Sequence, residues 1–454
     1  MSESKAGQSG AYAPGASGAT RARARPDAAL DPRARSPRFA VVALLALLAY
    51  GGCAWLLGRT TPAASAYFDH LADAFLHGRL HLAPPPSEYD LTQHEGRWYV
   101  PFPPLPALLL TPWVAVMGLA RTNALYLSLL AGALNVALVW RLLGALLVAE
   151  RRLSMGARTW LTMLFAFSST HWLMAMDGSV WYLAQVCTLA FSLLATDAAL
   201  RGAPAWQAGA WLAVAMLGRP NVVFLWPLLL GAAWSRATPR SEQPEPDLRA
   251  PAPRESSPQM SATHGSRALG RWALRSLAPV IAALALLGAY NYARFSNPLD
   301  FGYATQNVSG AVRDDLRTYG QFNVRFIARN AYVLLLGPPR WQADSAWPRP
   351  DDRGMSLLLT TPALFMLVGA RRRDALTRGA WLAVALSLAP LLLYYNTGWR
   401  QFGYRFSLDF FPALLALLAS PSAGRVSRLM NALIALGIAV NAWGVIWWYT
   451  RWLD

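Results

Sequence analysis

The chain has 454 residues, of which 55% are hydrophobic and only 14% are charged. Soluble globular domains carry about 25% charged residues, so this composition excludes an ordinary soluble enzyme and favours a polytopic membrane protein. The net charge of +17 lies in short basic clusters between apolar runs, which is a topology signal and excludes a nucleic-acid partner. The two cysteines, Cys53 and Cys187, form neither a disulfide framework nor a metal-binding spacing.

Two segments have the composition of disordered chain. Residues 1–38 are rich in Ala, Gly, Ser, Pro and Arg, which predicts a disordered tail. The apolar run that follows has no clear cleavage site, so we do not expect a signal peptide. Residues 235–270 are rich in Pro, Ser, Glu and Arg without periodicity and are predicted to be a disordered loop. The rest of 39–454 is predicted to be one transmembrane domain.

Apolar runs recur along this domain. Nine of them approach the roughly 20 residues that cross a hydrocarbon layer about 30 Å thick. They are 39–58, 122–148, 159–176, 180–200, 271–292, 354–370, 379–395, 405–420 and 429–450. The run 206–234 is interrupted at Gly218-Arg219-Pro220, which predicts a hairpin of two short helices. We therefore expect an all-α polytopic membrane protein with about 11 transmembrane helices and interfacial helices in its outer loops.

Arginine clusters predict the orientation, because positive charge is retained on the cytoplasmic side. If 104–119 is an interfacial or re-entrant helix, the tail, the Arg151–Arg158 cluster, 235–270 and Arg371–Arg373 all lie inside. If 104–119 crosses and 206–234 is a single helix, the Arg151–Arg158 cluster lies outside. We adopt the first arrangement. It predicts a cytoplasmic N-terminus and two extracytoplasmic loops, 59–121 and 293–353.

The stretch YFDHLADAFLHG at residues 67–78 separates into two faces on a helix. The apolar face contains Phe68, Leu71, Ala72, Phe75 and Leu76. The polar face contains Asp69, His70, Asp73 and His77. This pattern predicts an amphipathic helix at the membrane interface, ending at Gly78.

Asp69 and Asp73 of this helix are four residues apart and can converge on one site. Such a pair suits Mg²⁺ or Mn²⁺, or holds one carboxyl at a raised pKa as a catalytic base. His70 and His77 are seven residues apart, which is a poor spacing for zinc. The alternative interpretation is a solvated polar face without a catalytic role.

Four features across most of residues 39–420 carry a family resemblance. The acidic amphipathic stretch follows the first span, the re-entry Pro103-Pro104-Leu105 comes next, and Asp177 lies at the end of a later span. The split segment AVAMLGRPNVVFLWPLLL is the fourth feature. Together they resemble the polyprenyl-phosphate-sugar-dependent glycosyltransferases of the GT-C class, which include protein O-mannosyltransferases and lipid A aminoarabinose transferases. The stretch NTGWRQFGYRFSLDFFP resembles a motif of uncharacterised bacterial members.

The resemblance implies a membrane enzyme of the bacterial cytoplasmic membrane. It would pass a sugar from a polyprenyl-phosphate donor to a glycan, lipid or protein acceptor at the outer face. A carboxylate would take the acceptor proton, and positive charge would stabilise the departing phosphate. Asp69 or Asp73 is the predicted base, with Asp177 as a second acid. Asp73 and Asp177 are the candidate ligands for Mg²⁺ or Mn²⁺.

The phosphate would meet basic residues on the same side. Arg219 lies at the tip of two half-helices, where the free N–H groups after Pro220 could assist it. The predicted substrate-binding residues are Arg219, Arg400, Arg405, Tyr404, Tyr182 and Gln185. Family members often carry an Asp-Glu pair about a dozen residues before the glycine that ends the first-loop helix. This sequence has none there, near Ser65, so the catalytic acid could be Asp69, Asp73 or neither, and metal dependence stays open.

Two other functional classes compete with the transferase. A transporter or lipid flippase would show an internal repeat and charges buried within spans, and the sequence has no clear repeat. A non-catalytic membrane scaffold would tolerate changes to the outer acids. No Walker loop, GxSxG or HExxH motif occurs, so nothing favours ATP hydrolysis, serine hydrolysis or zinc proteolysis.

Overall fold

A computed structural model describes residues 36–148, 151–237, 259–341, 347–370, 374–420 and 425–450. Residues 1–35 of the predicted tail 1–38, residues 238–258 of the predicted disordered loop and the cluster Arg371–Arg373 lie outside the described residues. Residues 36–38, 235–237 and 259–270, predicted to be disordered, belong instead to helices.

The described residues are helical, with very little strand. Their α-helices are α1 Ser36–Leu56, α2 Tyr67–Leu76, α3 Leu105–Met117, α4 Ala124–Leu143, α5 Met155–Phe167, α6 His171–Ala175, α7 Val180–Arg201, α8 Ala205–Met216, α9 Trp226–Ala237, α10 Gln259–Phe295, α11 Gly310–Tyr319, α12 Phe326–Leu335, α13 Leu357–Thr360, α14 Ala375–Leu393, α15 Phe411–Ala419 and α16 Arg428–Thr450. Short 3-10 helices occupy Leu119–Arg121, Pro220–Leu225, Tyr303–Thr305, Pro362–Gly369 and Arg405–Phe410. Two antiparallel hairpins pair β1 Thr92–His94 with β2 Arg97–Tyr99, and β3 Leu147–Val148 with β4 Arg151–Arg152.

Six helices in the described part of the chain are long and apolar enough to cross a membrane. They are Arg38–Leu56 in α1, α4, α7, Arg267–Phe295 in α10, α14 and α16. The chain is therefore a helical multi-pass membrane protein, which confirms the predicted class. The predicted count of eleven is not confirmed, because the other segments expected to cross are short or broken.

The break in 206–234 falls where the sequence predicts it. α8 and α9 have 12 residues each, or about 18 Å at about 1.5 Å per residue, which is too short to span. Pro220 opens the intervening 3-10 helix, where its missing N–H leaves no backbone donor unpaired. A Cβ on Gly218 would lie 2.2 Å from Thr188 Oγ1, so only glycine fits this approach to α7.

Three other predicted spans are interrupted without a Gly-Arg-Pro signal. Residues 159–176 divide into α5 and α6 at Ser168–Thr170, where the Ser169 hydroxyl donates to the Phe165 carbonyl at 2.7 Å. Residues 354–370 divide into α13 and a 3-10 helix, and 405–420 divide into a 3-10 helix and α15. Local side-chain hydrogen bonds of this kind compete with the helical ladder, and hydropathy does not record them.

The loops at one end of the helices are tied together by backbone hydrogen bonds. Asp90 N–H donates to the Asn307 carbonyl, and Asn307 N–H donates to the Leu91 carbonyl, both at 2.8 Å. Tyr395 N–H donates to the Gln321 carbonyl at 3.0 Å. The predicted first and second outer loops and the segment after α14 therefore form one layer.

Basic residues mark the other end of the bundle. Asp197, near the end of α7, accepts from Arg141 of α4 at 2.8 Å and from Arg201 at 2.7 Å. Arg236, at the end of α9, donates to the Leu200 carbonyl at 3.0 Å. α7 has 22 residues, so this basic end lies about 30 Å from its N-terminus at about 1.5 Å per residue.

Candidate active-site cavity

A cavity of about 380 Å³ lies under the layer of loops. This volume falls within the range of about 300–1,000 Å³ that is typical of ligand pockets. Its walls come from the loop before α3, the start of α7, the α8–α9 break, the loop after α10 and the segment 390–406. The lining side chains include Asp90, Phe102, Trp181, Arg219, Asn221, Leu299, Tyr303, Gln306, Phe322, Tyr394, Tyr395, Asn396, Trp399, Arg405 and Phe406. Aromatic rings thus surround a few polar groups.

Asp90 is the acid of this cavity. It is 7% exposed and its φ is 60°, a left-handed conformation that is uncommon outside glycine. The Gln306 amide donates to its Oδ1 at 3.3 Å. Burial raises the pKa of Asp90 to about 7, although Trp181 and the charge of Arg405 act in the opposite direction. A buried carboxyl that titrates near neutral pH in a cleft is a candidate acid or base.

Arg405 is the cation that faces the cavity without a carboxylate partner among the described residues. It is 6% exposed. Its Nε donates to the Gly398 carbonyl at 3.0 Å, and its Nη1 donates to Gln185 Oε1 at 3.0 Å. These two bonds hold the guanidinium in place. A buried cation held by neutral acceptors retains its charge for a bound anion.

Arg219 also lines the cavity, but its charge is already neutralised. Its Nε and Nη2 donate to the two carboxylate oxygens of Asp409, each at 2.7 Å. Asn221 Nδ2 adds a third bond to this carboxylate at 2.8 Å. The predicted phosphate ligand is therefore one half of an ion pair, with Nη1 as the donor that remains for a ligand.

The three predicted catalytic acids do not line the cavity. Asp69 is 4% exposed, accepts from His70 N–H at 2.8 Å, and has a pKa raised by burial. Asp73 lies 3.6 Å from His77 Nδ1 and 3.8 Å from Arg79. The predicted helix forms as α2, but its faces differ from the prediction. Asp69 of the predicted polar face is buried, whereas Leu76 of the predicted apolar face is exposed.

Asp177 makes a different set of contacts. Its Oδ2 lies 3.5 Å from Arg59, and its Oδ1 accepts from Ser179 N–H at 2.7 Å, just before α7 begins. An aspartate that accepts from the N–H two residues ahead forms an Asx turn, and here that turn leads into α7. Asp73 and Asp177 thus have separate partners. Across the described ranges, no three His, Cys, Asp or Glu side chains converge as a metal-binding group would.

The four remaining predicted residues surround Arg405 to different degrees. Gln185 bonds to the Arg405 guanidinium and also donates to the Arg405 carbonyl and to Asp409. The Tyr182 ring lies 5.9 Å from the guanidinium carbon. Tyr404 is fully buried, and Arg400 is exposed beside Trp399. None of these four residues lines the cavity. Gln185 and Tyr182 contact the Arg405 guanidinium from outside it.

Two residues of this region, Asp409 and Asp90, are not among the site residues predicted from the sequence. A signal for Asp409 was present, because an ionisable residue within an apolar run such as 405–420 marks a functional or paired site by default. Asp90 had no comparable signal. Its burial depends on Asn307, Gln306 and Trp181, which are distant in sequence.

Comparison of the chain with protein-family models, with curated proteins and with solved structures finds no match.

Proposed function

We propose that this protein is an integral membrane glycosyltransferase that moves a sugar from a polyprenyl-phosphate donor to an acceptor hydroxyl. The acceptor is a glycan, a lipid or a protein. One observation carries the proposal: Asp90 and Arg405 line the same cavity. A carboxyl with a pKa of about 7 and a cation without a carboxylate partner among the described residues are the two groups that the reaction requires.

The reaction assigns one role to each group. The ionised Asp90 carboxylate takes the proton of the acceptor hydroxyl while the acceptor oxygen forms a bond to the anomeric carbon. The bond from the anomeric carbon to the phosphate oxygen breaks, and its electron pair stays on the phosphate. Arg405 stabilises the negative charge that develops there. The products are the glycosylated acceptor and polyprenyl phosphate.

The mouth of the cavity suits a lipid-linked donor. Leu299 is 85% exposed and Phe322 is 53% exposed, and both line the cavity. Exposed apolar side chains at an opening are costly in water and favourable against a lipid chain. We infer that the polyprenyl chain leaves the cavity past these residues, with its phosphate directed toward Arg405.

The charge distribution supports an outer-face reaction in the bacterial cytoplasmic membrane. Arg141, Arg201 and Arg236 lie at the end of the bundle remote from Trp181 of the cavity. The positive-inside rule assigns such an end to the cytoplasm. The cavity then faces outward, and the N-terminus of the chain is cytoplasmic.

The test is transfer by purified protein in detergent or proteoliposomes, with polyprenyl-phosphate sugars and a panel of glycan, lipid and peptide acceptors. Asp90→Asn should lower kcat by about 100-fold or more, the range expected for loss of a general base. Glu88→Gln is the matched control, because Glu88 is an exposed acid two residues away and should retain activity. Repeating the assay with EDTA tests the predicted dependence on Mg²⁺ or Mn²⁺.

A different outcome would favour the transporter or flippase. Proteoliposomes would then move the lipid-linked sugar across the bilayer without forming a glycosylated product. Full transfer by Asp90→Asn would instead remove Asp90 from the mechanism.

A further inference from the structure

A second cavity of about 480 Å³ lies beside the first. Tyr395, Asn396 and Trp399 line both cavities, so these residues form a shared wall. The remaining walls of the second cavity come from α11, α12 and the segments around residues 340, 353 and 397. Two adjoining chambers with one common wall suit a reaction between two substrates.

The second cavity is lined by three arginines and two aspartates, and Asp351 beside it is a further partner of Arg340 at 2.8 Å. Its charged residues are Arg329, Arg340, Arg353, Asp315 and Asp352. Both carboxylates are paired, Asp315 with Arg329 and Asp352 with Arg340 at 3.3 Å. The side chain of Arg353 has no ion pair among the described residues. One exposed guanidinium therefore remains available to an anion.

Two side chains next to the shared wall hold the backbone of the Arg353 segment. The Arg353 carbonyl accepts from Thr397 Oγ1 at 2.8 Å and from Gln401 Nε2 at 2.9 Å. On the wall itself, Asn396 Oδ1 accepts from Gly398 N–H and Trp399 N–H at 2.8 and 2.9 Å. Because two donors occupy its oxygen, Asn396 presents its NH₂ group as a further donor.

The shared wall is connected to the acid of the first cavity. The Tyr395 hydroxyl donates to Gln306 Oε1 at 3.3 Å, and Gln306 Nε2 donates to Asp90 Oδ1 at 3.3 Å. Tyr395 also lines the second cavity. A group bound against Tyr395 is therefore linked to the Asp90 carboxylate through the Tyr395 hydroxyl and the Gln306 amide.

We propose that the second cavity binds the sugar acceptor and that the acceptor carries an anionic group, a phosphate or a carboxylate, which Arg353 holds. Its hydroxyl is directed to the wall of Tyr395 and Asn396, toward Asp90. This inference rests on the proposed transferase function, because it assigns the second chamber to the second substrate. It narrows the acceptor from any hydroxyl compound to an anionic one.

Calorimetric titration of the purified full-length protein, without donor, tests this binding. Glycerol 1-phosphate, glycerate and glycerol serve as matched probes that carry a phosphate, a carboxylate or neither. We expect saturable binding of at least one anionic probe and at least tenfold weaker binding of glycerol. Arg353→Gln should weaken binding of the anionic probe at least tenfold, and Arg353→Lys should restore part of the lost affinity. Arg317→Gln, at an exposed arginine of α11 that does not line the cavity, should change binding less than twofold.

Equal binding by wild type and Arg353→Gln would overturn the inference, as would equal binding of glycerol or no binding of either anion. Transfer activity is measured separately, so the two proposals can fail independently. A protein that transfers sugar but does not bind the anions through Arg353 retains the proposed function and loses the acceptor site. A protein that binds them through Arg353 but transfers no sugar retains an anion site and loses the proposed function.

Discussion

Arg219 and Asp409 are joined by two parallel hydrogen bonds of 2.7 Å, although 190 residues separate them in the chain. This pair fixes the break between α8 and α9 against the 3-10 helix Arg405–Phe410. It also removes the charge of Arg219 from the cavity. Arg405 is left as the cavity cation that can pair with a bound anion, which in the proposed function is the donor phosphate.

Removing one partner of this pair should destabilise the fold. Asp409→Asn leaves the part-buried Arg219 guanidinium without its counter-charge, and the loss of one partner of a buried pair costs about 3–5 kcal/mol. Denaturant unfolding in detergent micelles measures the change. The control is Asp314→Asn, at an exposed position of α11, which should change stability by less than about 0.5 kcal/mol.

The double variant Arg219→Gln/Asp409→Asn should recover part of this loss, because it removes both buried charges. If Asp409→Asn were as stable as wild type, the pair would have no structural role. The same result would weaken the assignment of Arg405 as the excess cation.

The pH profile of transfer should report Asp90. The base must be ionised, so kcat/KM should fall about tenfold per pH unit below the pKa of about 7 and level off above it. Glu88→Gln should show the same acidic limb. Asp90→Asn should lose that limb along with most of its activity. A limb near pH 4 in the wild type would contradict the raised pKa.

Stability should also depend on Asp90, independently of any activity. Folding raises its pKa from 3.8 to about 7, so within that window the folded state binds more protons than the unfolded state. The free energy of unfolding should therefore fall as pH rises from about 4 to 7, by up to about 1.4 kcal/mol per pH unit. The difference between wild type and Asp90→Asn, measured by denaturant titration at several pH values, isolates this contribution. A difference that does not change with pH would refute it.

Arg405 should affect both the donor and the transition state. Arg405→Gln should raise the KM for the polyprenyl-phosphate sugar and lower kcat by about 100-fold, because a buried donor to developing charge is lost. Arg405→Lys keeps the charge but not the bonds to Gly398 and Gln185, so it should recover only part of the rate. Steady-state kinetics separate the two parameters. Wild-type kinetics in Arg405→Gln would exclude its role.

Close helix packing should depend on Gly209 of α8. A Cβ at this position would lie 2.0 Å from the Ser276 carbonyl oxygen of α10, and small residues allow such approaches between membrane helices. Gly209→Ala should destabilise the protein by about 1–3 kcal/mol. Gly270→Ala, in α10 with nothing near its Cβ position, is the matched control and should not. Equal thermal stability of the two variants in detergent would contradict the packing.

Local features of the sequence predicted local features of the fold. The break at Gly218-Arg219-Pro220 follows from the conformational limits of glycine and proline. The helical membrane class follows from the apolar runs. The number of full-length spans does not, because hydrogen bonds such as Ser169 to Phe165 interrupt runs that hydropathy reads as continuous.

Tertiary structure alone decided which first-loop acid lines the cavity. Hydropathy and charge do not distinguish Asp69, Asp73 and Asp90 from one another. The sequence favours the first two because they lie together on one predicted amphipathic helix. Only the pairing of residues 90–91 with Asn307 buries Asp90 beside Arg405, and only Asp409 neutralises Arg219. Composition and periodicity thus determined that this is a helical membrane protein with polar loops at one end. Which of those polar groups meet was decided by contacts across some 200 residues of chain, since desolvation and ion pairing depend on neighbours in space.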